Sequence, residues 1–204
     1  SDWIRKKTKD VLKVDNLTID KDWQSYVVNA LYFKGAWAEK FDSKNTKPED
    51  FTGVTCKRKV QMMHNYDNYN YCEYGGFEAI ELPYGNGDYV MTVMIGKSED
   101  RLSPEVMSGI VSAMKKEYIS LGFPKFETET DISEFPISLV KFDSFRHVAK
   151  INVDEEGTEA AAVTIIGDAT AAPQEPKELV FNQPFYYVIT QKTTGIILFV
   201  GYYC

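Results

Sequence analysis

The run DEEGTEAAAVTIIGDATAAPQEPKE, residues 154–178, decides how the rest of this chain is read. It lies between two segments of strand character. In a compact domain, a connection of about 25 residues without clear structure of its own is usually functional or disordered. The composition is not that of a tether, which would be built from Gly and Ser. Thr158, Ala160, Ala162 and Thr164 fall on one alternating set and are small and uncharged, while Glu159, Ala161, Val163 and Ile165 fall on the other. Built as a strand, the first set faces a packed interior and leaves Glu159 in solvent. The segment is therefore compatible with two states, an exposed excursion and an added strand. Beyond Ile166 the residues are small and accessible up to Pro173, and suit a protease that binds its substrate in extended form.

Outward from this run, residues 119–126, 139–153, 178–190 and 195–202 read as strands. Residues 25–33, SYVVNALYF, are β-branched and aromatic on both alternating sets, the pattern of a strand covered on both faces. Asn29 is the strongly polar residue inside it. Left unpaired in a buried site, its amide would cost about 1–3 kcal/mol, so it needs a designated partner. Residues 42–58 are polar and read as a connecting loop with at most a short strand. Residues 77–82 and 89–95, joined through Gly85-Asn86-Gly87, read as a hairpin whose glycines supply positive φ values. Ser103-Pro104-Glu105 is a helix start, and the stripe Val106, Met107, Ile110, Val111 and Met114 carries the helix to about Tyr118. Residues 2–12 read as a second amphipathic helix. Many strands against two helices give an α+β chain with several sheets and no internal repeat.

Composition narrows the partners. With 23 Lys plus Arg against 30 Asp plus Glu, the formal charge is −7. Neither nucleic acid nor an anionic membrane face attracts such a chain. Hydrophobic content of 44% with 14% aromatic residues is enough for a real core. No stretch reaches about 18 apolar residues without a charge, so no membrane span is expected. The first residues do not form a signal peptide, which fits either a protein that is not exported or one whose leader is absent from this sequence. Cys56, Cys72 and Cys204 are too few and too irregularly spaced for a disulfide scaffold or a zinc site and read as isolated thiols. No metal or cofactor is expected. Asn16-Leu17-Thr18 fits a glycosylation acceptor, a short pattern that is usually accidental.

GTEAAAVT, preceded by Asp154-Glu155-Glu156, resembles the reactive-loop hinge of the serpins, the serine protease inhibitors. VNALYFKGAW (28–37) is similar to the third strand of their main sheet. FNQPFYYVI (181–189) and ILFVGY (197–202) resemble their final strands, and residues 2–12 resemble the helix lying across that sheet. The resemblance covers nearly the whole chain. It implies a serpin-like multi-sheet α+β fold, partial because roughly the family's first half is missing, with residues 1–204 forming the later part of one domain and a mobile reactive-centre loop at about 155–178. A second shortfall lies at Ser133-Glu134-Phe135-Pro136, where the family has a helix and its exit loop.

The same resemblance implies a suicide substrate. A protease cuts the loop, becomes acylated, and is dragged away as the loop enters the main sheet as a new strand. The implied hinge is Glu155, Gly157, Thr158, Glu159, Ala160, Ala161 and Ala162. Counting along the loop from Glu155 places the reactive bond near Ala171-Ala172, within one or two residues. Small residues there imply an elastase-like or subtilisin-like target rather than a trypsin-like one. Asn29 and His147 are implied to meet where the central strands part, the imidazole serving the amide, and Trp37 resembles the tryptophan where the loop first enters. The implied partners are a serine protease and a companion N-terminal fragment, and the implied location is secreted, extracellular or periplasmic. A serpin-like carrier that no longer inhibits is the alternative; bulky or charged hinge residues would favour it, and this hinge has neither. An enzyme finds no support, since the sequence holds no nucleophile elbow, metal spacing or phosphate loop.

Overall fold

The computed structural model describes residues 6, 26–96, 101–132, 144–157 and 175–204. The expected helix at 2–12, the Asn16 glycosylation pattern, the junction at 133–136, the implied hinge residues Thr158, Glu159, Ala160, Ala161 and Ala162, and the implied reactive bond at Ala171 and Ala172 all lie outside the described residues. Contacts divide the chain into two compact units, residues 1–34 with 127–152 and residues 35–126 with 153–204.

In the smaller unit, β1 (Tyr26–Tyr32), β8 (Ser144–Val153) and β7 (Phe126–Ile132) form a sheet of order β1-β8-β7. β1 pairs with β8 in parallel, in a register that sets Asn29 directly opposite His147. Carboxylates on β7 face cations on β8. Arg146 makes a two-pronged contact with Asp131, at 3.0 and 2.6 Å, and Lys150 lies 2.8 Å from Glu127. β1 occupies the expected segment, but it is not covered on both faces: Val27 and Val28 are half-buried and Asn29 is exposed.

The larger unit is built on an eight-stranded sheet of order β11-β10-β5-β4-β3-β6-β9, with β2 pairing to β3. The elements are β2 (Lys47–Thr52), β3 (Lys57–Tyr74), β4 (Phe77–Tyr84), β5 (Tyr89–Gly96), α1 (Pro104–Ala113), β6 (Lys115–Pro124), β9 (Lys177–Val180), β10 (Phe185–Gln191) and β11 (Ile197–Tyr203). The β4–β5 hairpin is as read from sequence: Gly85 and Gly87 take φ of +50° and +86° between the two strands. Ser103 caps α1, its Oγ accepting from the Val106 amide at 3.2 Å. The helix presses Ile110, with Val106 and Met107 beside it, onto Phe77, Ala79, Met94 and Val188 of the sheet.

A second core is aromatic. Phe51, Phe123, Phe181 and Phe185 are fully buried, and Phe123 lies 5.6 Å from Phe181 and 5.7 Å from Phe185, centroid to centroid. Each such ring contributes roughly 1.5–3 kcal/mol by leaving water, with edge-to-face pairing adding about 0.5–1.5 kcal/mol.

Three expectations are corrected. The helix expected to reach Tyr118 stops at Ala113: Met114 turns extended at ψ 132° and β6 begins at Lys115, because pairing with β3 claims residues 115–124. The expected strand 178–190 is two strands, β9 and β10, since Asn182-Gln183-Pro184 breaks it and Pro184 has no amide to donate. The short strand allowed within the connecting loop at 42–58 is present as β2, preceded by a 3-10 turn at Ser43–Asn45. β3, the 18-residue strand, and β7 were not anticipated, because Asp and Glu, joined in β3 by Asn, are disfavoured in strands and punctuate both.

Candidate functional site

β8 runs into a tight reversal, Asp154-Glu155-Glu156-Gly157, from which the informative run departs. Asp154 closes it locally. Its Oδ1 accepts from the Glu156 amide at 3.0 Å, its carbonyl accepts from the Gly157 amide at 3.2 Å, and its own amide donates to the Gly157 carbonyl at 3.4 Å. Asp in this role is expected, because its short carboxylate reaches backbone amides two residues on.

The reversal is sewn to residues 36–41. The Trp37 amide donates to the Glu156 carbonyl at 3.1 Å, the Phe41 amide to the Glu155 carbonyl at 3.1 Å, and Ala36 forms an antiparallel bridge with Gly157. On its other side the same segment is tied to the end of β4, with the Ala38 amide donating to the Pro83 carbonyl and the Gly85 amide to the Ala36 carbonyl, both at 2.8 Å. Trp37 is the centre of the arrangement. It is 4% exposed, stacks on Tyr84 with centroids 4.4 Å apart, meets Phe41 edge-on, and donates its indole N–H to the Asp154 carbonyl at 2.9 Å. A buried indole needs such an acceptor, and here the acceptor is the first residue of the turn.

Both acids at the tip are paired with cations. Glu155 accepts from Lys125 Nζ at 2.6 Å and from Thr46 Oγ1 at 2.8 Å. Burial pushes the Glu155 carboxyl up, but the Lys125 and Thr46 hydrogen bonds outweigh it and hold the group below its ordinary value of 4.5. Glu156 pairs with Lys40.

Gly157 closes the site sterically. Its φ is +99°, and a Cβ built there would lie 2.6 Å from the Gly35 carbonyl oxygen and 2.8 Å from the Ala36 carbonyl carbon, and would overlap the Trp37 amide nitrogen. No L-residue with a side chain fits without moving backbone.

The structure thus brings Trp37, Glu155 and Gly157 into one locus in the larger unit. Asn29 and His147 meet in the smaller one, Nδ2 to Nδ1 at 3.1 Å, with the amide donating to the unprotonated ring nitrogen. The pairing is as expected, but the premise of burial is not met, since Asn29 is exposed. Sequence reasoning missed Lys125, Thr46, Lys40 and Tyr84. The two acids at 155 and 156 signalled a need for cations, yet nothing in the sequence chooses Lys40 and Lys125 among 23 basic residues. Among the described residues, no cluster of His, Cys, Asp and Glu is arranged to hold a metal. Mechanically, the site is a fixed base from which a segment of chain departs.

Comparison with known proteins gives this geometry a context. The family model described as Serpin (serine protease inhibitor) matches residues 1–135 and 131–204. Its two matches overlap at residues 131–135. A serpin-like protein of Methanosarcina mazei is 29% identical, aligned over 98% of this chain and 55% of its own length, and Serpin B4 of Homo sapiens is 30% identical over 98% and 60%. Both alignments run over more positions, 235 and 238, than this chain has residues, so the relatives carry segments that are lacking here. The native-state crystal structure of a thermophilic serpin, tengpin, superimposes with a TM-score of 0.80 at 21% identity, over 98% of this chain and 60% of its own. The chain therefore spans less than two thirds of the length of these relatives. With a family match along its whole length, this chain belongs to the serpin family.

Proposed function

We propose that the complete molecule is a secreted serine protease inhibitor that acts as a suicide substrate for an elastase-like or subtilisin-like enzyme. The protease serine attacks the carbonyl of Ala171, the amine of Ala172 leaves, and an acyl-enzyme forms on the new C-terminus. Residues from Thr158 onward then enter between β1 and β8, antiparallel to both, as the strand that follows β8 through its turn. About 15 residues at roughly 3.3 Å each carry the attached enzyme some 50 Å. Displacement on that scale disorders the oxyanion hole and triad on which deacylation depends. A companion N-terminal segment supplies the remaining strands of the inhibitor.

One observation carries the reading. The chain leaves β8 through a base that cannot drift, held by Trp37, Lys125 and the φ of Gly157, and the residues immediately beyond it are uncharged at every second position. An anchored base directs the return path, and uncharged alternate residues let that path run over a packed interior without burying an ion.

The test is substitution of Ala160 by Arg in the complete molecule, incubated with elastase and with subtilisin. The unsubstituted protein is expected to give SDS-stable complexes acylated within two residues of Ala171. A160R is expected to be cleaved at the same bond and to release active protease, raising the stoichiometry of inhibition about tenfold or more, since a guanidinium entering a packed interior must be desolvated. Equal complex formation by A160R would sink the mechanism.

A further inference from the structure

Cysteines that look isolated along the chain are not isolated in the fold. Cys56 and Cys204 are both exposed, and Arg58 brings them to one place. The guanidinium of Arg58 lies over the rings of Phe51 at 4.7 Å and Tyr203 at 5.1 Å, and those two rings are themselves 5.1 Å apart. From there Nη2 donates to the Cys204 carbonyl oxygen at 2.7 Å. Gly53 gives an independent fix on the backbones. The point where its Cβ would stand is 3.0 Å from the Cys56 carbonyl oxygen and 3.4 Å from the Cys204 carbonyl carbon. One small side chain would therefore touch both cysteine residues at once.

The turn that carries Cys56 is held as well. The Gly53 amide donates to the Cys56 carbonyl at 2.9 Å, and β2 and β3 pair from Thr52 and Lys57 outward. The end of β11 is fixed by Tyr203, which pairs with Phe185 across the sheet. Two exposed cysteines on well-held backbone, whose main chains meet beside Gly53 and Arg58, form a site for oxidation.

We propose that Cys56 and Cys204 form a redox-controlled disulfide that staples the end of β11 to the β2–β3 turn. The oxidant is a small-molecule disulfide. The Cys56 thiolate attacks one sulfur of glutathione disulfide, forming a mixed disulfide and expelling one glutathione thiolate. The Cys204 thiolate then attacks the Cys56 sulfur, forming the internal bond and expelling the second glutathione. The protein loses two protons and two electrons, and one glutathione disulfide becomes two glutathione thiols. Closure is favoured over a second capping event because Cys204 is already held beside Cys56. Cys72 takes no part: it is buried and its thiol donates to the Ile110 carbonyl at 3.4 Å.

The experiment uses the reduced, desalted protein, exposed to glutathione disulfide and read by intact mass and peptide mapping. The expected result is a monomer lighter by two hydrogens, with the peptides carrying residues 56 and 204 joined and Cys72 still open to alkylation after denaturation. The unfolding midpoint should rise by roughly 5 °C or more, because the crosslink closes a long loop, and dithiothreitol should reverse the rise. Cys56→Ser and Cys204→Ser should each abolish the crosslink. Two separately glutathionylated thiols, a disulfide between molecules, or thiols left free would each overturn the proposal. Because the mass readout needs only the unsubstituted chain, misfolding of either variant does not blur it.

Discussion

Substituting Gly157 by Ala tests the claim that the base of the loop is fixed by backbone geometry. An L-residue at φ +99° costs about 1–3 kcal/mol in conformational strain. The added methyl also meets the Gly35 carbonyl oxygen at 2.6 Å and the Ala36 carbonyl carbon at 2.8 Å, both backbone atoms of a segment tied down on its far side to β4, and such overpacking costs about 1–3 kcal/mol. An upper limit comes from letting the turn detach instead. That gives up two backbone hydrogen bonds and the Trp37 indole bond, of about 1 kcal/mol each, and the charge-assisted bonds to Glu155, worth roughly 1.5–3 kcal/mol. The smaller of the two routes decides, so G157A should lose about 2–6 kcal/mol, and the thermal midpoint should fall by roughly 4 °C or more for a chain of this size. The assay is thermal unfolding by circular dichroism, with emission from Trp37 as the local probe after Trp3 and Trp23 are replaced by Phe. Detachment of the turn removes the indole's acceptor and lets water reach it, so emission should shift to the red below the global transition. A G157A protein that melts within about 1 °C of the original with unchanged Trp37 emission would refute the argument.

Three further outcomes follow from the same contacts. The Glu155 carboxyl is held below 4.5 in the folded chain, so its contribution to stability is complete above that pH and is lost as pH falls through the lower folded value. Glu155→Gln should therefore flatten the loss of stability below pH 4.5, measured by urea titration across that range, and an unchanged acid limb would contradict this. Gly201 and Gly109 both face tyrosine rings, but Tyr187 is 5% exposed and Tyr74 is 46% exposed, so only Tyr74 can swing aside. Gly201→Ala should cost about 1–3 kcal/mol, whereas Gly109→Ala, which also gains helix propensity, should stay within about 1 kcal/mol of neutral; equal effects in denaturant melts would be wrong. In this chain the Asn29–His147 bond is exposed, so a double-mutant cycle with Asn29→Ala and His147→Ala should give a coupling of about 1 kcal/mol or less. A coupling above about 2 kcal/mol would mean that the pair is shielded from water.

What was legible in the sequence follows the reach of each physical signal. Local signals survived folding intact: the Ser103 cap with Pro104, the glycine turn between β4 and β5, and the strand character of residues 26–32. Signals that depend on a partner did not. Met114 continues the apolar stripe of α1, yet the chain turns extended there because β3 offers β6 a ladder. β3 itself alternates correctly near its end, with Tyr69 and Tyr71 buried, but Asp67, Asn68 and Asn70 beside them mask the period. At the site, Trp37 and Gly157 were found through resemblance, and the glycine's need is explained by atoms of residues 35–37 that no local reading could place. Lys125 and Thr46 reach Glu155 from distant parts of the chain and are of types that usually sit in solvent.

The most direct test of the central claim is hydrogen exchange on the complete molecule before and after a single cut at Ala171-Ala172. Slow exchange appearing across residues 158–166 after the cut, with β1 and β8 still protected, is the predicted result, because the two strands now pair with the inserted segment instead of each other. Fast exchange persisting at 158–166 would contradict it.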